Sequence, residues 1–199
     1  MKRTDAFLLC LLLLGLPAVA LAEAPKATAI IERTVDDVLA VLGDEERSVA
    51  ERRLALEEIA HGRFDFRTMS KLVLGRNWKR LDGGERDEFV DEFTTYLAND
   101  YGDRLDRYEQ EEVAVEGEEP KPRGDVVVKT KIVGGENNGA IVDYRMRKKG
   151  DDWKIIDVVI EGISLVANFR DQFKEVIARK GPEGLIRKLE EKNAEAAEA

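Results

Sequence analysis

The chain has one cysteine, Cys10, and one histidine, His61, among 199 residues. A lone thiol closes no intramolecular disulfide, and a lone imidazole builds no metal site without carboxylates at ligand spacing, which His61 lacks. His61 falls between two helical segments and reads as a linker residue. No glycine-rich phosphate loop follows a strand, and there is no nucleophile elbow. Serines are sparse, and Ser164 in the stretch EGIS suits a helix cap better than a nucleophile. Positive charge is not in excess either: 32 Lys and Arg against 41 Asp and Glu leave a net charge of −9. That balance argues against nucleic acid as a partner and against anionic membrane surfaces as electrostatic landing sites. No stretch reaches the roughly 18 consecutive apolar residues that a membrane-spanning helix requires.

What stands at the N-terminus is an address label. Lys2 and Arg3 open it, Phe7 to Leu16 form an apolar run, and Ala20-Leu21-Ala22 is a small-x-small cleavage site. A lipoprotein anchor at Cys10 does not fit, because Leu9 precedes it where a small residue is needed. Residues 1–22 are therefore read as a signal peptide cut after Ala22, giving a soluble exported protein. The cut removes the sole cysteine, so an oxidising compartment adds nothing to stability. It also removes Lys2, Arg3 and Asp5, a net +1, which takes the chain from −9 to −10. Residues 23–190 suit a single domain with a sizeable core, and the Ala/Glu-rich tail 191–199 is expected to fray.

Periodicity divides the rest. A first helix over 26–42 carries Ile31, Val35, Val38, Leu39 and Leu42 on one face; a more polar second helix, about 45–60, has only Val49, Leu56 and Ile59. Asp65 is placed to cap a short helix with Phe66, Met69, Leu72 and Val73 inward, closed by Gly75. Asp82 and Glu85 have capping-box spacing. They open the longest helix, about 85–108, with the stripe Phe89, Phe93, Tyr96, Leu97, Tyr101, Leu105 and Tyr108. From Glu109 the period becomes two: a short edge strand at 113–116, then strands from Val126, Ala140 and Trp153. The last is apolar on both faces, with Trp153, Ile155 and Val159 on one and Ile156, Val158 and Ile160 on the other. Both sides of its sheet must therefore be covered. Gly162 breaks this strand, and Ser164 caps a helix bearing Val166, Phe169, Phe173 and Ile177. Beyond Gly181-Pro182, a last helix presents Leu185, Ile186 and Leu189.

Helices, then an antiparallel meander of about four strands, then closing helices define an α+β domain. Its helices pack on a curved sheet in a cone-shaped, NTF2-like arrangement, with an apolar cavity between sheet and helices. Asp157 is the odd residue, a carboxylate inside an apolar strand. It is either a general base with a raised pKa or, as favoured here, an acceptor for backbone N–H groups or a basic side chain. Glu161 is expected to cap or to pair with Arg170. Lys71, Arg76, Lys79 and Arg80 either meet a phosphate at a cavity mouth or an acidic partner or, as favoured for scattered basic residues on short helices, are solvated charges.

At FDFRTMSKLVLGRNW (64–78) and WKIIDVVIEGISLVANFRDQF (153–173) the sequence resembles the MlaC family of periplasmic phospholipid-binding proteins, also known as toluene-tolerance or ABC-transporter auxiliary components. The helix order, the EGIS-L junction and the GPEGLI segment extend the resemblance over nearly all of the mature chain. It implies a periplasmic carrier, monomeric and without a cofactor, that holds the two acyl chains of a phospholipid. It further implies exchange between an outer-membrane lipoprotein complex and an inner-membrane complex of an MCE-domain protein with an ABC transporter, which maintains outer-membrane asymmetry. Leu72, Val73, Trp78, Tyr144, Ile163 and Val166 are then expected around the cavity. Met69, Phe93, Tyr101, Val142, Met146, Phe169 and Phe173, core-facing by period, join them as lipid-binding residues. The highly charged second helix and the Ala/Glu tail depart from many members of the family.

The energetics suit a carrier. Burying acyl chains is worth about 0.8 kcal/mol per CH₂, so two long tails gain roughly 20 kcal/mol over water. A bilayer offers nearly the same, so only a dry, apolar, deep cavity extracts lipid at modest cost, and no catalytic group is needed. Two rivals remain at this point: an exported enzyme using Asp157 with Tyr144 or Tyr101, and an interaction protein whose core is filled.

Overall fold

The computed structural model describes residues 26–105 and 111–198, with side chains described except at 101–105. The expected signal peptide with its cut after Ala22, and Tyr108, lie outside the described residues. Five helices and five strands follow in the order α1 (Ala27–Leu42), α2 (Val49–Arg63), α3 (Phe66–Leu74), α4 (Gly83–Leu105), β1 (Glu112–Pro120), β2 (Val126–Val133), β3 (Ile141–Lys149), β4 (Asp152–Ile160), β5 (Ile163–Ser164) and α5 (Leu165–Ala197).

The helix starts are written in short polar side chains. Asp65 caps α3 by accepting the Thr68 N–H at 3.0 Å. Asp82 accepts the Glu85 N–H at 2.9 Å while Glu85 accepts the Asp82 N–H at 2.8 Å, the reciprocal capping box that opens α4. Ser48 and Glu51 make another such box for α2. That helix therefore begins at Val49 rather than near 45, and Asp44 holds the preceding turn by accepting the Glu46 N–H and pairing with Arg47. The stripe expected on α2 is not a core stripe. No residue of α2 is buried, and Val49 is 54% exposed. On α1 only the first turns are deep: Ala27, Ile30 and Ile31 are buried, whereas Val35, Val38, Leu39 and Leu42 are half-buried.

The strands form one antiparallel sheet in the order β1-β2-β3-β4-β5. The strand beyond the four expected is the two-residue β5. Glu161 and Gly162 sit at φ +49° and +79°, the left-handed pair that a two-residue hairpin turn demands, and Ile160 pairs with Ile163 across it. β4 carries a bulge: Arg145 lies opposite Asp157 and Met146 opposite Ile155, leaving Ile156 without a partner. The bulge corrects the expected faces, because Trp153 and Ile155 now share a side with Val158 and Ile160. β1 bulges too, at Glu116 between Val115 and Gly117.

α5 is two helices joined without a loop. Gly181, at φ +74° and ψ 173°, breaks it ahead of Pro182. Past Glu190, where fraying is expected, the helix continues to Ala197. Asn193 ties it to α4 by donating to the Glu92 carbonyl at 2.9 Å and to its carboxylate at 2.7 Å.

The apolar side chains collect in two clusters. α3, α4 and α5, with the 3₁₀ turn Gly75–Lys79, enclose a helical cluster built around Met69, Val73, Phe89, Phe93, Phe169 and Leu185. The sheet and α1 enclose the other, from Ile30, Ile31, Val128, Met146, Ile155 and Val158. Phe64 and Leu165 pack against both. The opposite face of the sheet is charged. There Asp125, its side chain fully buried, takes hydrogen bonds from the Arg145 guanidinium at 2.6 and 3.0 Å and from Arg147 at 2.6 and 2.9 Å. Burial pushes the Asp125 carboxyl up, but the Arg147 and Arg145 hydrogen bonds outweigh it and hold the group below the ordinary aspartate range.

Candidate functional site

The residues expected to line a lipid cavity divide between the two clusters. Met69, Val73, Trp78, Phe93, Val166, Phe169 and Phe173 are buried in the helical cluster, with Leu72 half-buried against it. Met146 is buried on the sheet, and Val142 and Tyr144 pack beside it. Register explains that grouping: Val128 lies opposite Tyr144, Thr130 opposite Val142, and Tyr144 opposite Val158, which places them on one face. Tyr144 is sunk deeply enough that burial pushes its phenol up. Ile163 stands apart, 62% exposed at the β4–β5 hairpin. Tyr101 belongs to α4, where its side chain is outside the described residues.

Within the helical cluster the aromatic rings interlock. Phe93 stacks on Phe89 at 5.7 Å and meets Phe169 and Phe173 edge-on at 5.3 and 6.1 Å. Trp78 is gripped between the guanidinium groups of Arg67 and Arg86, 5.6 and 5.7 Å from its ring, and its carbonyl accepts from Arg86 at 3.1 Å. These contacts fix side chains in place. Phe64 and Leu165, which touch both clusters, are absent from the sequence-derived set. Each flanks a helix cap, Asp65 or Ser164, and the pattern of an apolar residue next to a cap is the one signal that points to them.

Asp157 is a joint. Buried on β4, it accepts the Ser164 hydroxyl at 2.6 Å and the Val166 N–H at 3.1 Å, while Ser164 accepts the Ala167 N–H at 3.0 Å. One carboxylate thereby satisfies the first turn of α5 and locks it to the strand. Asp157 also lies opposite Arg145, on the other side of the sheet from Tyr144, so the two cannot act on one substrate. Glu161 and Arg170 do not pair. Glu161 accepts the Ile141 N–H, and Arg170 donates to the Leu72 carbonyl at the end of α3, one of the acceptors that helix leaves unsatisfied. Lys71, Arg76, Lys79 and Arg80 are exposed, as read from the sequence.

Two surface pockets stand out among the described residues, neither of them lined by the sheet. An open groove of about 420 Å³ separates α1 from α2, lined by Asp37, Ala40, Val41, Ala55, Glu58, Ile59, Gly62 and Arg63. A recess of about 130 Å³ lies between α4 and the halves of α5, floored by Tyr96, Phe173, Leu185 and Leu189 and edged by Gln172, Lys188 and Lys192. No group of His, Cys, Asp and Glu able to hold a metal occurs among the described residues, and no described helix is long and apolar enough to cross a membrane.

Known proteins share this architecture. The chain is similar to a phospholipid-binding protein from Ralstonia solanacearum, solved in complex with a phospholipid: 27% identity, a TM-score of 0.78, 87% of this chain and 99% of that one. It is 29% identical over 130 residues to the toluene tolerance protein ttg2D of Pseudomonas putida, covering 64% of this chain and 60% of that protein. With the intermembrane phospholipid transport system binding protein MlaC of Haemophilus influenzae it shares 24% identity over 125 residues, 60% of this chain and 58% of the relative. The match thus spans about three-fifths of the length of each of these two relatives. The sequence profile described as MlaC protein matches residues 32–191, most of the chain, and the chain belongs to the MlaC family.

Proposed function

We propose that this protein is a periplasmic phospholipid carrier, and that acyl chains are taken up along the seam where the helical and sheet clusters meet. The similarity in fold to a phospholipid-bound protein over 87% of the chain carries the proposal. Phe64 and Leu165, which pack against both clusters, mark the seam; Val142, Tyr144 and Met146 belong to the sheet cluster, and Met69, Val73 and Val166 to the helical one. Tails inserted there exchange protein contacts for lipid contacts and keep water out, so opening costs little once lipid is present. No step requires bond making. Exchange with an outer-membrane lipoprotein complex and with an inner-membrane MCE-domain and ABC transporter complex would complete the cycle, the direction coming from docking and ATP hydrolysis.

The test is native mass spectrometry of the protein isolated from the periplasm without detergent, followed by extraction of the bound material. A stoichiometric phospholipid adduct is expected. Persistent absence of an adduct from folded protein would instead favour an interaction protein, a reading that the interlocked rings of the helical cluster support. Ile163→Glu is the variant of choice, because Ile163 stands two residues before Leu165, which packs against both clusters. Its side chain is exposed, so the protein stays folded and lipid occupancy is expected to fall by half or more. Val166→Glu would not serve, because Val166 is 6% exposed inside the helical cluster and a buried charge there unfolds the chain.

A further inference from the structure

Ser70 is wholly buried on α3, next to Met69, and its hydroxyl has no hydrogen-bond partner among the described residues. A helical hydroxyl usually turns back to the carbonyl four residues earlier. Thr34 and Thr94 do this, reaching the Ile30 and Val90 carbonyls at 2.7 Å. Ser70 does not, although the Phe66 carbonyl is the corresponding acceptor. An unpaired hydroxyl in an apolar core is disfavoured against alanine of nearly the same shape, so its presence calls for a partner.

Position says where the partner comes from. The cap of α3 stands at the seam, five residues before Ser70: Phe64, ahead of that cap, packs against both clusters, and the Asp65 N–H donates to the Ile155 carbonyl of β4 at 2.9 Å. A lone donor in a dry apolar setting is met by an acceptor that the ligand brings with it. In a phospholipid the acceptors closest to the tails are the two ester carbonyls, whereas phosphate oxygens demand solvent or positive charge.

We propose that Ser70 is a specificity-determining residue, its Oγ–H donating to an ester carbonyl of a bound diacyl lipid and favouring ester-linked over ether-linked chains. This role rests on the seam taking phospholipid tails. Any contact with the headgroup is the same for either lipid, so only the carbonyl distinguishes the two.

Purified mature protein stripped of lipid is offered vesicles of equal parts dipalmitoyl phosphatidylcholine and its di-O-hexadecyl counterpart, identical in headgroup and chain length. The bound lipids are then counted by mass spectrometry. The wild type is expected to enrich the ester lipid about fivefold, the worth of one hydrogen bond. Ser70→Ala is expected to bring the ratio to about one, and Ser70→Thr, which keeps the hydroxyl, to retain a preference. A wild type without preference, or a preference that survives in Ser70→Ala, overturns the assignment while leaving the carrier function standing. Uptake of neither lipid by the wild type overturns the carrier function and the role of Ser70 with it. Lipid-free Ser70→Ala is expected to melt at or above the wild-type temperature. A melt several degrees lower would show that the hydroxyl serves the fold, and would equally overturn the assignment.

Discussion

The two clusters differ in how their side chains are held. In the helical cluster Phe89, Phe93, Phe169 and Leu185 are at most 1% exposed, and rings lock rings across α4 and α5. On the sheet, Val128, Met146 and Ile155 are fully buried but Val126, Val142, Trp153 and Ile160 only partly so, and α1 buries only Ala27, Ile30 and Ile31. Interlocked rings resist rearrangement because each has a single way to fit. Aliphatic side chains on a half-covered sheet can trade one apolar neighbour for another. The helical cluster is thus suited to hold the fold, and the sheet side of the seam to yield to a guest.

The largest effect is expected from breaking the rigid half. Phe93→Ala should cost about 3–5 kcal/mol in denaturant unfolding, whereas Val142→Ala on the sheet should cost about 1 kcal/mol and mainly lower lipid occupancy. Equal losses of stability at the two sites would erase the distinction between the clusters.

A second effect separates the two faces of the sheet. Asp125→Asn leaves Arg145 and Arg147 without their shared anion and should destabilise by about 3 kcal/mol at neutral pH. The folded carboxyl titrates below the unfolded value of about 3.9, so its contribution is fully present above that value. It is lost as pH falls through the folded pKa. Acid titration should therefore show wild type and variant converging below about pH 4, and a constant gap down to pH 2 would place the stabilisation elsewhere. The smallest effect is expected on α2, outside both clusters. Leu54, 65% exposed, should tolerate Leu54→Ser within about 0.5 kcal/mol.

How far the sequence announces this division depends on range. Caps are local, so Asp65, Asp82 with Glu85, and Ser164 were all legible from short polar residues at fixed spacing. The faces of β4 were not, because one extra residue at Ile156 shifts the alternation and nothing in a run of aliphatics marks it. Nor was the loss of a Glu161–Arg170 pair, since the Leu72 carbonyl that Arg170 meets is 98 residues away in the chain. The candidate site follows the same rule. Met69, Val73, Phe93, Val166, Phe169 and Phe173 were legible as core-facing positions and Ile163, which is exposed, was not; their separation into two clusters, with Phe64 and Leu165 at the junction, is set by tertiary packing that periodicity does not encode. The missing partner of Ser70 is invisible for the same reason.

The open edge of the sheet bears on life in a crowded compartment. β1 runs for nine residues along that edge, a length that invites a second copy to pair with it and propagate. Glu112, Glu116 and Glu118 stud the strand, the bulge at Glu116 spoils its register, and Pro120 offers no N–H. A neighbour arriving in the same orientation would set carboxylate against carboxylate, and no disulfide is available to rescue a chain caught partly open. One acidic strand thus keeps the open edge of the sheet from templating a second copy, and concentrated solutions should stay clear at neutral pH.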